Sequence, residues 1–147
     1  MTTPEAQRIR ILVIDDQPVV RAGIRMIVQG DAGLTVVGEA ANHAEGLAHA
    51  SSQQPDVILL DLNLGEDNGL ALLPELRAAA PKARVLILTG LHAVELHKHA
   101  VRGGAMGVVL KETSPEVLIA AIYSAHAGEI WVDRSLMASL LDNESAG

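Results

Sequence analysis

The sequence predicts an α/β domain in which a parallel β-sheet is covered by helices on both faces. Five short runs rich in β-branched residues and leucine recur along the chain, and segments of helical length and pattern separate them. The runs are apolar throughout, without the alternation of a half-exposed strand, which is typical of strands buried on both faces. A doubly wound fold is therefore expected, with strands at 9–14, 34–37, 57–60, 85–88 and 107–110.

Two of the intervening segments have clear helix boundaries. The first begins at Pro18, a residue favoured in the first turn, and ends before Gly30. The last begins with Ser114 as a cap, continues with Pro115, and runs until Gly128. Both segments place apolar residues at helical spacing, so each is expected to cover the sheet with one face.

Composition limits the class of protein. The chain has 147 residues, 49% of them hydrophobic and 20% charged, which fits one globular domain with a short tail. It has no cysteine, so disulfides and thiolate metal sites are excluded, and a reducing compartment such as the cytoplasm is expected. Neither a signal peptide nor an apolar run of roughly 20 residues is present, so no membrane association is expected. A net charge of -7 argues against direct binding of nucleic acid by this segment.

Polar side chains follow four of the five predicted strands. Asp15 and Asp16 follow the first, Asp61 the third, Thr89 the fourth and Lys111 the fifth. The carboxyl ends of parallel strands meet at one edge of the sheet, so these side chains are expected to converge on one cleft. Carboxylates at the edge of a core are costly unless they are paired or bind a cation. The three acids therefore indicate a hard metal ion.

These motifs resemble those of the response-regulator receiver domains of two-component signalling. The similarity runs from about residue 8 to about residue 127 and implies a flavodoxin-like (βα)5 fold with strand order 2-1-3-4-5. The segment 17–23, and Glu112 in place of the proline that often follows the lysine, resemble the NarL/FixJ branch. The matching motifs are Ile14-Asp15-Asp16, Leu60-Asp61-Leu62 leading to Gly69, Leu88-Thr89-Gly90 and Leu110-Lys111.

The resemblance implies a role for each residue at the strand ends. Asp61 would accept a phosphoryl group, Thr89 would be the switch hydroxyl and Lys111 the phosphate partner. The protein would be a phosphoacceptor and not an enzyme, although it would catalyse its own phosphorylation and dephosphorylation. Mg²⁺ would be the cofactor, held by Asp15, Asp16, Asp61 and the backbone carbonyl of Asn63.

The same resemblance implies the domain division and the partners. Residues 1–128 would be the receiver, and 129–147 a linker with a short helix after Asp133, leading to an output domain that this chain lacks. A sensor histidine kinase would donate the phosphoryl group. A homodimer would form through the face of the fourth helix, fifth strand and fifth helix. DNA would be bound only by the absent LuxR-type helix-turn-helix domain, which would control transcription.

One departure and several alternatives accompany this prediction. Val108 stands where many receivers have a switch aromatic, three residues before Lys111. A stand-alone receiver or a pseudo-receiver that only binds other proteins is therefore a second hypothesis. A haloacid-dehalogenase-like phosphatase lacks support because no Asp-x-Asp follows the first strand. The hypothesis of a nucleotide- or flavin-binding domain also lacks support, because neither a P-loop nor a G-x-G-x-x-G turn follows the first strand.

Overall fold

A computed structural model describes residues 7–64, 67–90 and 94–131. The short helix predicted after Asp133 lies outside these residues. Numbered in chain order, the described residues form seven strands: β1 (Ile9–Ile14), β2 (Leu34–Ala40), β3 (Val57–Asp61), β4 (Asn63–Leu64), β5 (Asp67–Asn68), β6 (Arg84–Thr89) and β7 (Gly107–Leu110). The helices are α1 (Pro18–Gln29), α2 (His43–Gln53), α3 (Gly69–Ala79), α4 (Val94–Arg102) and α5 (Pro115–His126).

The central sheet has the predicted topology. Its five strands lie in the order β2-β1-β3-β6-β7, and each neighbouring pair is parallel. Strands β4 and β5 form a separate antiparallel pair just after β3 and do not belong to this sheet. When the five strands of the sheet are counted by themselves along the chain, their order is therefore 2-1-3-4-5, as predicted. The flavodoxin-like fold class is confirmed.

The helix starts predicted from the sequence are also confirmed, whereas α5 ends at His126, two residues before Gly128. Helix α1 begins at Pro18, and Gly30 follows its last residue. Helix α5 begins at Pro115, where the Ser114 hydroxyl accepts a hydrogen bond from the Val117 amide at 3.3 Å. None of the helices in the described ranges is long and apolar enough to cross a membrane.

Apolar side chains pack on both faces of the sheet. On one face, α1 and α5 cover a cluster that includes Ile24, Leu59 and Ile122. On the other face, α2, α3 and α4 cover a cluster that includes Leu60 and Leu72. Successive strand residues alternate between the two clusters, which explains why the strand sequences are apolar throughout.

Strand β2 is longer than the sequence predicted. The apolar run ends at Val37, yet pairing with β1 continues to Ala40. The register shifts on the way, because Ile11 pairs with Val36 whereas Leu12 pairs with Gly38. A bulge thus inserts one extra residue into this edge strand. Gly38 and Glu39 interrupt the apolar pattern, which is why the sequence alone predicts an earlier end.

A hydrogen bond joins α5 to the loop after α1. The Tyr123 hydroxyl donates to Asp31 Oδ1 at 2.7 Å, and the Gly33 amide donates to the same oxygen at 2.9 Å. A Cβ on Gly33 would lie 2.2 Å from the Tyr123 oxygen, so only glycine leaves room for this contact. Burial and the neighbouring Asp31 carboxylate raise the pKa of Tyr123 to about 12.

This contact predicts a pH dependence that can be measured on one chromophore, because Tyr123 is the chain's only tyrosine. Its folded-state pKa is raised, so the stabilisation is fully present below the ordinary tyrosine value of 10.0 and is lost as the pH rises towards about 12. Absorbance titration of tyrosinate should give a midpoint near 12. Asp31→Asn should move the midpoint towards 10, and an unchanged midpoint in that variant would contradict the assignment.

Candidate functional site

Three carboxylates meet at the carboxyl edge of the sheet. Asp15 is 1% exposed and Asp61 is 2% exposed, whereas Asp16 is the most accessible of the three. Each side chain offers one oxygen, and these three oxygens all lie within 4.8 Å of one another. The structure therefore brings together the acids that the sequence predicted to converge.

The sheet topology accounts for this convergence. Ile14 and Leu60 pair at the ends of β1 and β3, so Asp15 and Asp61, the next residues, lie level with each other. The chain continues from β1 to β2 on one side, while β3 lies on the other. The acids thus lie at the point where strand order reverses, the usual ligand position in open α/β sheets.

Lys111 follows β7 and reaches across to the acids. Its Nζ lies 3.0 Å from Asp61 Oδ2 and 3.1 Å from Asp15 Oδ2, and it also donates to Gln17 Oε1 at 3.1 Å. Burial by itself lowers the pKa of Lys111, but the hydrogen bonds and negative charges of Asp61 and Asp15 outweigh it and raise the pKa above the ordinary value of 10.5. The ammonium group therefore remains charged at neutral pH and partly compensates the acidic cluster.

Asp15 is held by its own loop and by α1. The Gln17 amide donates to Asp15 Oδ1 at 2.8 Å, and the Arg21 guanidinium donates to the backbone carbonyl of Asp15. The other carboxylate oxygen, Oδ2, is buried, and the Lys111 ammonium lies beside it at 3.1 Å. A buried carboxylate oxygen with spare acceptor capacity, close to two more carboxylates, fits a hard cation such as Mg²⁺.

Thr89 and Asn63 complete the predicted set. Thr89 ends β6 and is buried, and its carbonyl accepts a hydrogen bond from the Lys111 amide at 2.8 Å, so both residues lie at the same edge of the sheet. Asn63 begins β4 two residues after Asp61. The role of the Asn63 carbonyl as a metal ligand stays a prediction.

Two residues that sequence reasoning did not assign to the site contribute to it. Gln17 orients both Asp15 and Lys111, and only its position directly after the acid pair could have drawn attention to it. Gly69, the first residue of α3, brings the chain back against the end of β3, where its amide donates to the Leu62 carbonyl at 3.0 Å. Gly69 stands in the receiver-like motif of the sequence, but the close approach of its backbone to β3 cannot be inferred from the motif.

Comparisons with known proteins show the family of the chain. Residues 11–123 match the family described as "Response regulator receiver domain". The nitrate/nitrite response regulator protein NarL of Escherichia coli K12 is 39% identical over 126 residues, which cover 86% of this chain and 58% of that protein. This chain belongs to the response regulator receiver family.

Solved structures of related receivers agree in fold. A LuxR-family two-component response regulator from Aurantimonas sp. superposes with a TM-score of 0.85 at 30% identity, covering 95% of this chain and 99% of the other. A response regulator of Burkholderia pseudomallei, solved with a phosphorylated aspartic acid, a calcium ion and citrate, gives 0.72 at 32% identity, covering 81% and 69%. The chain is thus a receiver domain of the NarL type, and it spans less than two thirds of the curated relatives that it matches.

The close approach at Gly69 makes a prediction about the receiver site. A Cβ at this position would lie 2.5 Å from the Asp61 carbonyl oxygen and 2.7 Å from Leu62 Cα, both backbone atoms that cannot move aside. Gly69→Ala should lower the free energy of unfolding by about 1–3 kcal/mol, the range for overpacking, when measured by denaturant titration.

Gly90→Ala is the matched control for this variant. Gly90 follows Thr89 near the same site, and an added Cβ would meet no heavy atom of the described residues within 4 Å. Its stability should stay close to that of the parent protein. Equal stability of the two variants would show that the approach of Gly69 to β3 does not restrict the site.

Proposed function

We infer that Asp61 is the phosphoacceptor of a receiver that accepts a phosphoryl group from a sensor histidine kinase and changes conformation in response. The observation that carries this proposal is the surroundings of its carboxylate. A lysine ammonium lies 3.0 Å from Asp61 Oδ2, and the carboxylates of Asp15 and Asp16 lie within 4.8 Å. That arrangement combines a nucleophile, a phosphate-binding cation and a metal-binding donor set in one cleft.

The chemistry follows from these groups. An Asp61 oxygen attacks the phosphorus of a phosphohistidine or of a small acyl phosphate donor. An O–P bond to the aspartate forms as the bond from phosphorus to the imidazole nitrogen, or to the acyl oxygen, breaks. Lys111 then moves from the Asp61 carboxylate to a phosphoryl oxygen, because formation of the acyl phosphate neutralises the carboxylate and places the negative charge on the phosphoryl oxygens. The Thr89 hydroxyl donates to another phosphoryl oxygen.

The proposal includes a divalent cation bound in the acidic cleft. Asp15, Asp16 and Asp61, together with the backbone carbonyl of Asn63, would hold Mg²⁺. When bound, Mg²⁺ supplies positive charge that screens the carboxylates and the transferring phosphoryl group. The relative from Burkholderia pseudomallei, with its phosphorylated aspartic acid and calcium ion, supports both parts of the assignment.

The output of the switch is proposed from the family. Residues 1–128 would act as the receiver and 129–147 as the linker to a DNA-binding domain that regulates transcription, as the match to part of NarL supports. A homodimer through α4, β7 and α5 is proposed for the phosphorylated form. Val108 is buried in the cluster beneath α4, so the signal would pass without the inward swing of an aromatic side chain.

Phosphorylation is tested by intact mass spectrometry after incubation with Mg²⁺ and acetyl phosphate. One phosphoryl group per chain should be gained, and none in Asp61→Asn, which keeps the size of the side chain but removes the nucleophilic carboxylate. Labelling that persists in Asp61→Asn would move the acceptor elsewhere. No labelling of the parent protein by acetyl phosphate, together with no binding of beryllofluoride, would reject the active-receiver function in favour of a pseudo-receiver.

Metal binding is tested separately by Mg²⁺ titration. Asp15→Asn should weaken Mg²⁺ binding by about tenfold or more, because losing even an outer partner of a metal ligand typically costs 10–100-fold. Glu39→Gln is the control, because it also removes one carboxylate charge. Glu39 lies on the neighbouring strand β2, where it pairs with Arg21 and Arg25 of α1. Unchanged affinity in Asp15→Asn, or an equal loss in Glu39→Gln, would contradict a direct ligand role for Asp15.

A further inference from the structure

The segment after α5 turns back and pairs with the edge of the sheet. Gly128 has a φ of +84°, and Trp131 then forms a parallel bridge with Gly107 at the start of β7. The Trp131 amide donates to the Met106 carbonyl at 2.8 Å, and the Val108 amide donates to the Trp131 carbonyl at 3.4 Å. Residues 129–131 are hereafter called the latch.

The sequence of β7 makes room for the latch. A Cβ on Gly107 would lie 2.3 Å from the Trp131 carbonyl oxygen and 2.9 Å from Trp131 Cβ, so a larger residue here would push the latch off the edge. The Trp131 side chain packs against the apolar cluster beneath α1 and α5, whereas Ile130 is 61% exposed. The latch is thus attached to the sheet by two backbone hydrogen bonds and one large side chain, and to α5 by the bond from the Glu129 amide to the Ser124 carbonyl at 3.0 Å.

Strand β7 connects the latch to the acidic site. Gly107 begins the strand, and Lys111, which contacts Asp61 and Asp15, directly follows it. Four residues of strand span only about 13 Å. A movement of the Lys111 backbone towards a group on Asp61 would therefore be passed along a short, stiff element whose other end holds the latch.

The two latch hydrogen bonds differ in length. The bond from Trp131 to Met106 is of ordinary length, whereas the bond from Val108 to Trp131, at 3.4 Å, lies beyond the usual range of 2.7–3.2 Å. A shift of β7 by a few tenths of an ångström is enough to break the longer bond. The Val108 amide faces the outer edge of the sheet, where, within the part of the chain that the structure describes, the latch covers it.

We propose that the latch reports the state of Asp61 to the chain that follows residue 131. A phosphoryl group on Asp61 draws Lys111 away from its present partners, β7 shifts, and the latch is released from Gly107. This changes the point at which the following segment leaves the receiver. The proposal rests on the phosphoacceptor function of Asp61, and it supplies a route for the signal that does not need an aromatic residue at position 108.

Hydrogen exchange of single amides tests the latch on the full chain, with beryllofluoride and Mg²⁺ as the probe. Fluorine NMR first measures beryllofluoride binding. At saturation, the Val108 and Trp131 amides should exchange about tenfold faster or more, while the Leu86 amide in the central strand β6 stays protected. The emission of Trp131, the only tryptophan, should shift to longer wavelength.

The two possible failures are distinguishable. No binding of beryllofluoride, together with no labelling by acetyl phosphate, rejects the phosphoacceptor function and the latch with it. Binding of beryllofluoride with unchanged exchange at Val108 and Trp131 and unchanged emission rejects the latch alone.

Gly107→Ala should release the latch without any probe. Its Val108 and Trp131 amides should exchange fast from the start, its emission should already be shifted, and beryllofluoride should still bind because Gly107 lies at the opposite end of β7 from Lys111. Gly23→Ala is the matched control, since an added Cβ there meets no atom of residues 7–64, 67–90 and 94–131 within 4 Å, and its latch should behave as in the parent protein. A protected latch in folded Gly107→Ala overturns the proposal.

Trp131→Ala covers the case in which Gly107→Ala fails to fold, because it removes packing without forcing an atom into the sheet. The Val108 amide should then exchange fast both with and without beryllofluoride. Protection of Val108 that persists in Trp131→Ala and still responds to beryllofluoride would show that another segment shields this edge.

Discussion

The close packing of the acids at the edge of this receiver's sheet depends on the contacts of the Lys111 ammonium group with Asp15 and Asp61. Asp15 and Asp61 are almost fully buried and lie close together, an arrangement that repulsion and desolvation would otherwise oppose. Lys111 lies 3.0–3.1 Å from both and compensates part of their charge. Removing one member of a buried ion pair typically costs about 3–5 kcal/mol, so the apo fold and the reactive site share the same interaction.

Topology provides the acids with their position, and the loops provide their orientation. The parallel pairing of β1 with β3 puts Asp15 and Asp61 level at the point where strand order reverses. Gln17 then fixes one oxygen of Asp15, and Gly69 lets α3 begin directly against the end of β3. Rigid strands and short loops leave Lys111, on its flexible side chain, as the member of the set best able to move.

Much of this arrangement was predictable from the sequence because it is local. Apolar runs fix the strands, and an acid, hydroxyl or amine directly after a run marks the edge of the sheet. Contacts between distant residues were not predictable, such as Gln17 with Lys111, 94 positions apart, or Trp131 with Gly107. The extension of β2 past Val37 was missed since pairing with β1, and not apolar character, holds Gly38 and Glu39 in the strand.

The bulge in β2 has a consequence for how this molecule meets other chains. An exposed, regular edge strand is a template for pairing with a second sheet and for aggregation. The described sheet has β2 at one edge, where the extra residue breaks the hydrogen-bonding repeat, and the four-residue β7 at the other, partly covered by Trp131. Neither edge offers a long regular ladder, so self-association would have to proceed through side-chain contacts and not strand pairing, and charge and shape can then restrict the choice of partner.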